Sequence, residues 1–204
     1  QDLGKLPNKP KFKQIFSKSS AINRLSLARL CLFAARDVWF VVALPVYLAQ
    51  QFGLSHWTVG GILALWIIGY GIVQGLAPHW TSPRPHGDHL TRWSLLLLAT
   101  TLLLSLALSF HTVNLTLLLG GLALFGLVFA VNSSVHSYLI VHYANRNGTS
   151  LDVGFYYMAN AGGRLMGTLL SGWVFLRFGM VHCLLASVLL LAAATLISSR
   201  LPKQ

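Results

Sequence analysis

Acidic residues are nearly missing from this chain: Asp and Glu together number 4 among 204 residues, against 15 Lys and Arg. Only one of them, Asp37, falls in the middle of an apolar stretch, so nothing here supplies the paired acids that many hydrolytic mechanisms use. Cysteine is equally scarce. Cys31 and Cys183 stand far apart with no CxxC partner and read as small apolar packing residues rather than redox or metal groups. There is no Walker loop and no HExxH, so neither ATP-driven pumping within the chain nor zinc proteolysis has support. His79, His86, Asp88 and His89 are close in sequence, but their spacing matches no standard metal site. No run alternates polar and apolar residues as a barrel strand would. These absences point away from an enzyme, and no bound cofactor or metal is expected.

What the chain has is length of apolar block. Hydrophobic residues make up 55% and charged residues 9%, and the apolar ones gather in blocks of about 20, enough for a helix to cross the hydrocarbon core. Lipid offers the backbone no hydrogen-bond partner, so the blocks are expected to be helices. Six spans are read: residues 21–49, 58–77, 92–110, 115–141, 151–175 and 180–198. The expected fold is therefore an all-α integral membrane bundle of six transmembrane helices. An even count puts both ends on one side. That side holds Lys5, Lys9, Lys11, Lys13, Lys18, Arg24, Arg84, Arg92, Arg146, Arg200 and Lys203, while the opposite loops hold only Arg177. The positive-inside rule then places both ends in the cytoplasm. The net charge of +11 is mostly this topology signal, and its scatter over short loops argues against a nucleic-acid partner. Residues 1–20 are polar, Lys-rich and Pro-bearing, begin with Gln1 and lack the apolar core of a signal peptide. They read as a cytoplasmic linker from something upstream, with residues 21–204 as the six-helix domain and Ser19 or Ser20 as the first cap.

The spans differ from one another. The third and sixth are Leu- and Ala-rich, without glycine in residues 94–110 and 180–198, and suit a lipid-facing position. The first, second, fourth and fifth hold the intramembrane charges and amides, and most of the glycines and aromatics. They should pack together and line any cavity, giving inner, inner, outer twice over, a three-plus-three repeat. In the fifth span Ala159, Gly163, Gly167 and Ser171 recur every four residues, and Gly71 and Gly75 form a GxxxG pair in the second. Small residues at that spacing allow helix backbones to approach. Pro45 removes a helical hydrogen bond and should bend the first span near the carbonyl of Val41.

Arg36 and Arg164 sit deep inside two of these spans, where a charge costs about 3 kcal/mol or more and usually faces a cavity, an ion path or an anionic partner. Tyr157, Asn160, Arg164, Thr168 and Ser171 share a face of the fifth span, and Arg29, Phe33, Arg36, Phe40 and Tyr47 fall near one line on the first. Asp37 is rotated about 100° from Arg36 and is not expected to pair with it as a facing neighbour. Its candidate partners are Arg29, Arg164 or a residue of another half, and the alternative role is proton uptake. Phe125, Phe129, Asn132, His136 and Tyr143 share a face of the fourth span, and Trp66, Tyr70 and Gln74 one of the second. His136 could donate to a guest or shuttle a proton, or simply bond a neighbouring helix. Together these residues describe a net-positive, hydrogen-bonding cavity with aromatic walls. Guanidinium forks match carboxylate, phosphate and arsenate oxygens, so the expected guest is a small anion.

The segments ARDVWFVVALPVYL (residues 35–48), LALWIIGYGIVQ (63–74) and VGFYYMANAGGRLMGTLLSG (153–172) resemble the C-terminal half of the organoarsenical efflux permeases of the major facilitator superfamily, the ArsJ type. The third segment is the most specific, with tyrosines, an asparagine and GGR in one span. The resemblance implies a twelve-span transporter in two six-helix halves, each a three-plus-three repeat, with the N-terminal half as this domain's partner. It implies secondary efflux of 1-arseno-3-phosphoglycerate across the bacterial inner membrane, giving arsenate resistance, with the proton gradient as energy source. It also implies a functional link to glyceraldehyde-3-phosphate dehydrogenase, which makes that ester. Arg36 and Arg164 lie within the matching segments. One departure is the loop after Gly75, LAPHWTSPRPHGDH, which lacks the superfamily's glycine–acid–arginine signature. Export of another organic anion or drug is the alternative, and a six-helix membrane enzyme or assembly subunit is the third reading.

Overall fold

A computed structural model describes residues 19–81, 85–110, 114–144 and 149–202. Residues 1–18 of the expected linker lie outside the described residues, as do Arg84, Arg146 and Lys203 of the charge count. The described residues form helices throughout: α1 (Ser20–Phe40), α2 (Ala43–Phe52), α3 (His56–Trp80), α4 (Gly87–Ser109), α5 (Leu115–Tyr143), α6 (Thr149–Phe178) and α7 (Met180–Ser198). Ser19 caps α1, its hydroxyl accepting from the amide of Ile22. Five stretches are long and apolar enough to cross a membrane: Ser20–Phe52, His56–Trp80, Gly87–Ser109, Leu115–Tyr143 and Met180–Ser198. The expected fifth span, α6, has 30 residues and ample length, but its polar stripe makes it less apolar than the other five.

The expected bend at Pro45 is a break. Proline cannot bond the carbonyl four residues back and its ring crowds that oxygen, and α1 accordingly stops at Phe40 while α2 starts at Ala43. The amides of Val42 and Ala43 instead reach the hydroxyl of Ser171 on α6, at 3.3 and 3.1 Å. Elsewhere the chain reverses at Gly53 and Gly179, whose φ of 64° and 81° fall where a side chain would be strained. Gly179 alone separates α6 from α7.

Packing sorts the helices into two rows. α6, α1, α5 and α3 stand in sequence in one, and α7 and α4 form the other, with α1 touching α5, α6 and α7. The small stripe of α6 explains its closeness to α1. A Cβ on Gly163 would lie 2.2 Å from the carbonyl oxygen of Leu30, and one on Gly167 would lie 2.7 Å from that of Ala34. Glycine at these positions is what lets the backbones meet, since lipid-bathed helices associate through packing rather than a hydrophobic drive. Ser187 of α7 adds a fastener, its hydroxyl donating to the Ala35 carbonyl at 2.6 Å. Gly71 and Gly75 have the same spacing on α3 but meet nothing within 4 Å. Along all of α3 only Val59 and Ala77 are buried, so its GxxxG pair is unused within the described chain.

At the end of the bundle holding Ser19, the chain after α7 is tied down. The Pro202 carbonyl accepts from the Gly87 amide at 3.2 Å and the Tyr143 hydroxyl at 3.3 Å, and Arg24 donates to the Arg200 carbonyl at 2.6 Å. Leu201 is buried among Ile22, Leu25, Leu90 and Leu139.

Candidate functional site

The break in α1–α2 sits beside the bundle's charged centre. Asp37, 1% exposed, lies one turn before the break and takes two guanidiniums. Its Oδ1 accepts from Arg36 Nε at 2.6 Å, and its Oδ2 accepts from Arg164 Nε at 3.4 Å. The first contact corrects the expectation that sequence neighbours on a helix would not pair. The Cα positions do diverge by about 100°, but the long Arg36 side chain bends back along the helix surface. Of the expected partners Arg164 is present, and Arg29 goes elsewhere. The two arginines differ in setting. Arg36's side chain is 11% exposed, whereas Arg164's is 57% exposed on the open side of α6.

Arg36 also lies over aromatic faces, its guanidinium carbon 4.7 Å from the ring centre of Phe33 and 5.3 Å from that of Phe129. Phe33 is shared with a second cation, Arg29, at 4.2 Å. Such contacts contribute about 0.5–2 kcal/mol each, and they stabilise cations that the bilayer would otherwise disfavour. Arg29 donates through Nη1 to the hydroxyl of Ser133 at 2.9 Å and to its carbonyl at 3.2 Å, with Tyr156 covering it at 5.2 Å. The Tyr70 hydroxyl donates to the same Ser133 oxygen at 3.2 Å, which joins α3 to the cluster. Trp66 stacks on Tyr70 with ring centres 5.7 Å apart, and its indole N–H donates to the Leu122 carbonyl at 2.8 Å. Gly126 makes room for that indole, since a Cβ there would lie 2.6 Å from its nitrogen.

The remaining expected residues scatter. Tyr157 is exposed, and Asn160 and Thr168 are half-buried on the Arg164 stripe of α6; Gln74 is half-buried one turn beyond Tyr70. His136 is buried on α5, one turn from Ser133. Asn132 is turned the other way, its amide nitrogen donating to Ser94 of α4 at 2.9 Å, so it joins the two rows and does not face Arg36. Among the described residues no group of His, Cys, Asp or Glu is arranged to hold a metal ion. Two grooves, of about 710 Å³ between α4 and α5 and about 490 Å³ between α2 and α3, are apolar and touch none of these charges.

The sequence that builds this bundle matches a known family over most of its length: residues 25–203 fit the Major Facilitator Superfamily. The chain belongs to that superfamily. No curated protein matches it in sequence. As a facilitator chain it is a multi-pass membrane transporter. Two residues of this facilitator's cluster escape a reading of its sequence as cavity groups: Ser133 and Tyr156. Arg29 lies seven residues before Arg36, two turns along one face, and that spacing was a usable signal. Tyr156 and Tyr157 are adjacent, and nothing but the packing tells which is buried over Arg29. Ser133 carries no signal beyond its helical face.

Proposed function

We propose that this chain is the C-terminal half of an exporter of the organoarsenical type, moving 1-arseno-3-phosphoglycerate out of the bacterial cell by alternating access. The observation that carries the reading is the Asp37 centre. Two guanidiniums share one carboxylate, and the outer one, Arg164, reaches the open side with its side chain 57% exposed. Asp37 holds the cations together while the site is empty. An anionic cargo then enters as a better-matched partner, because phosphate and arsenate oxygens accept the guanidinium fork in bidentate fashion. Tyr157, Asn160 and Thr168 lie along the approach on α6, and Tyr70, Gln74 and His136 stand on facing helices.

The N-terminal six-helix half is the partner that this reading requires. The open sides of α3 and α6, with Gly71, Gly75 and Leu165 uncovered, are where it would dock to close the cavity. In this scheme both termini of the segment are cytoplasmic, the inner membrane is the site of action, the proton gradient supplies energy, and glyceraldehyde-3-phosphate dehydrogenase supplies the cargo. Arg164→Ala in the whole transporter, expressed with that dehydrogenase, should abolish arsenate resistance while membrane abundance stays normal. Resistance equal to wild type would remove Arg164 from the cargo path. Everted vesicles that accumulate other organic anions but not the arsenic ester would favour the broader anion-exporter reading.

A further inference from the structure

Arg29 is the one deeply buried cation for which the Asp37 centre has no use. It is 4% exposed, and among the described residues no carboxylate pairs with it. Ser133 takes its Nη1, and Phe33 and Tyr156 cover its flat face, yet its Nε is enclosed without a hydrogen-bond partner. On the same face of α5, one turn beyond Ser133, His136 Nδ1 is also enclosed and unpartnered. The hydroxyl and carbonyl of one serine, with two rings, compensate a buried guanidinium only in part, and an enclosed donor left unused carries a penalty of its own. A neutral glutamine could fasten α1 to Ser133 without that cost. The arrangement is therefore a poor clamp, and it has the composition of an anion site: a cation, an unused N–H and an imidazole.

We propose that Arg29, with His136 beside it, is a second anion station, and that the cargo is a small organic molecule carrying two anionic groups, one for each station. The inference rests on the reading of Arg36 and Arg164 as the first station. Arg29 and Arg36 are seven residues apart on α1, about 10 Å along the axis, but both guanidiniums lean on one ring, 4.2 and 4.7 Å from the centre of Phe33. Two charges so placed suit anionic groups at the two ends of a two- or three-carbon skeleton. The route to Arg29 passes α3. Tyr70 closes over Ser133 from a helix with only two buried residues, so a shift of α3 would lift the tyrosine and uncover the station.

The test is equilibrium binding to the whole transporter in lipid nanodiscs, with two probes. Glycerol 3-phosphate carries one anionic group, and 3-phosphoglycerate carries two on a skeleton of the same length. Wild type should bind 3-phosphoglycerate at least about tenfold more tightly, the increment of one charge-assisted pair. Arg29→Gln should remove that preference and keep glycerol 3-phosphate binding, which also shows the variant is folded; Arg29→Lys should restore part of it. Arg164→Ala should weaken both probes. Equal wild-type binding of the two probes would overturn the second station while leaving the first intact, and this outcome needs no variant. An Arg29→Gln variant that keeps the preference, or loses both probes equally, would also overturn it. Wild type binding neither probe would bring down the anion reading itself and this inference with it.

Discussion

Replacing Asp37 with asparagine separates a displaceable counter-ion from a permanent staple. The carboxylate is 1% exposed and holds Arg36 at 2.6 Å and Arg164 at 3.4 Å. Arg36, with its side chain 11% exposed, would be left a nearly buried cation without a negative partner, a change of about 3–5 kcal/mol when a buried pair is broken. The amide oxygen still accepts one hydrogen bond, which puts the expected loss near the lower end, about 3 kcal/mol. Arg164 adds little, less than about 1 kcal/mol, because water screens a side chain that is 57% exposed. The empty transporter should therefore melt on the order of 5 °C lower. Its affinity for 3-phosphoglycerate should rise at least about tenfold, since the anion no longer competes with Asp37, and saturating ligand should recover most of the lost melting temperature. Export should slow, because no carboxylate waits to reclaim the arginines on release. Thermal unfolding with and without ligand reads the first effects, and vesicle uptake reads the last. A variant that melts lower yet binds the anion no more tightly would refute the counter-ion account and leave Asp37 as a structural group.

Two further outcomes follow from packing. Gly163→Ala should destabilise by about 2 kcal/mol, because its Cβ would collide with the Leu30 backbone rather than with the end of a flexible side chain; Gly71→Ala, open on all sides of the described chain, should cost this domain nothing measurable, and thermal unfolding of the pair side by side checks both. Ser171→Ala should lower stability by about 0.6–2 kcal/mol in the same assay, since the amides of Val42 and Ala43 lose their acceptor. An unchanged melting temperature for Ser171→Ala would mean that water or a rearranged turn already serves those amides.

Much of the architecture is written plainly in the chain, because a bilayer imposes one period and one length on every span. Block lengths place five helices to within a few residues, Pro45 marks the break, and the four-residue stripe on α6 marks its contact with α1. The site is less legible, and the failures have specific causes. Helical angles separate Arg36 from Asp37 but ignore the reach of a four-atom side chain. Gly71 and Gly163 obey the same spacing rule, and only the neighbours present decide which one is a contact. Asn132 shares a helical face with Phe125 and His136, yet a broad face touches two neighbours, and Ser94 on α4 claims the amide. Arg29 was readable as part of the stripe through Phe33 and Arg36, but its lack of a carboxylate is visible only once the helices are assembled.

The interruption at Val41 and Val42 divides the first crossing into parts with different mechanical standing. Below it, α1 is gripped on two sides, by the glycines of α6 and by Ser187 of α7. Above it, α2 makes few such attachments, and Ser171 acts as a pivot under its first amides. A change of angle between α1 and α2 is thus taken up by the shorter helix, with the stretch bearing Asp37 held against α6 and α7. Spin labels on α1 and α6 should keep one separation in loaded and empty transporter, and a label on α2 should shift; the reverse pattern would place the joint elsewhere.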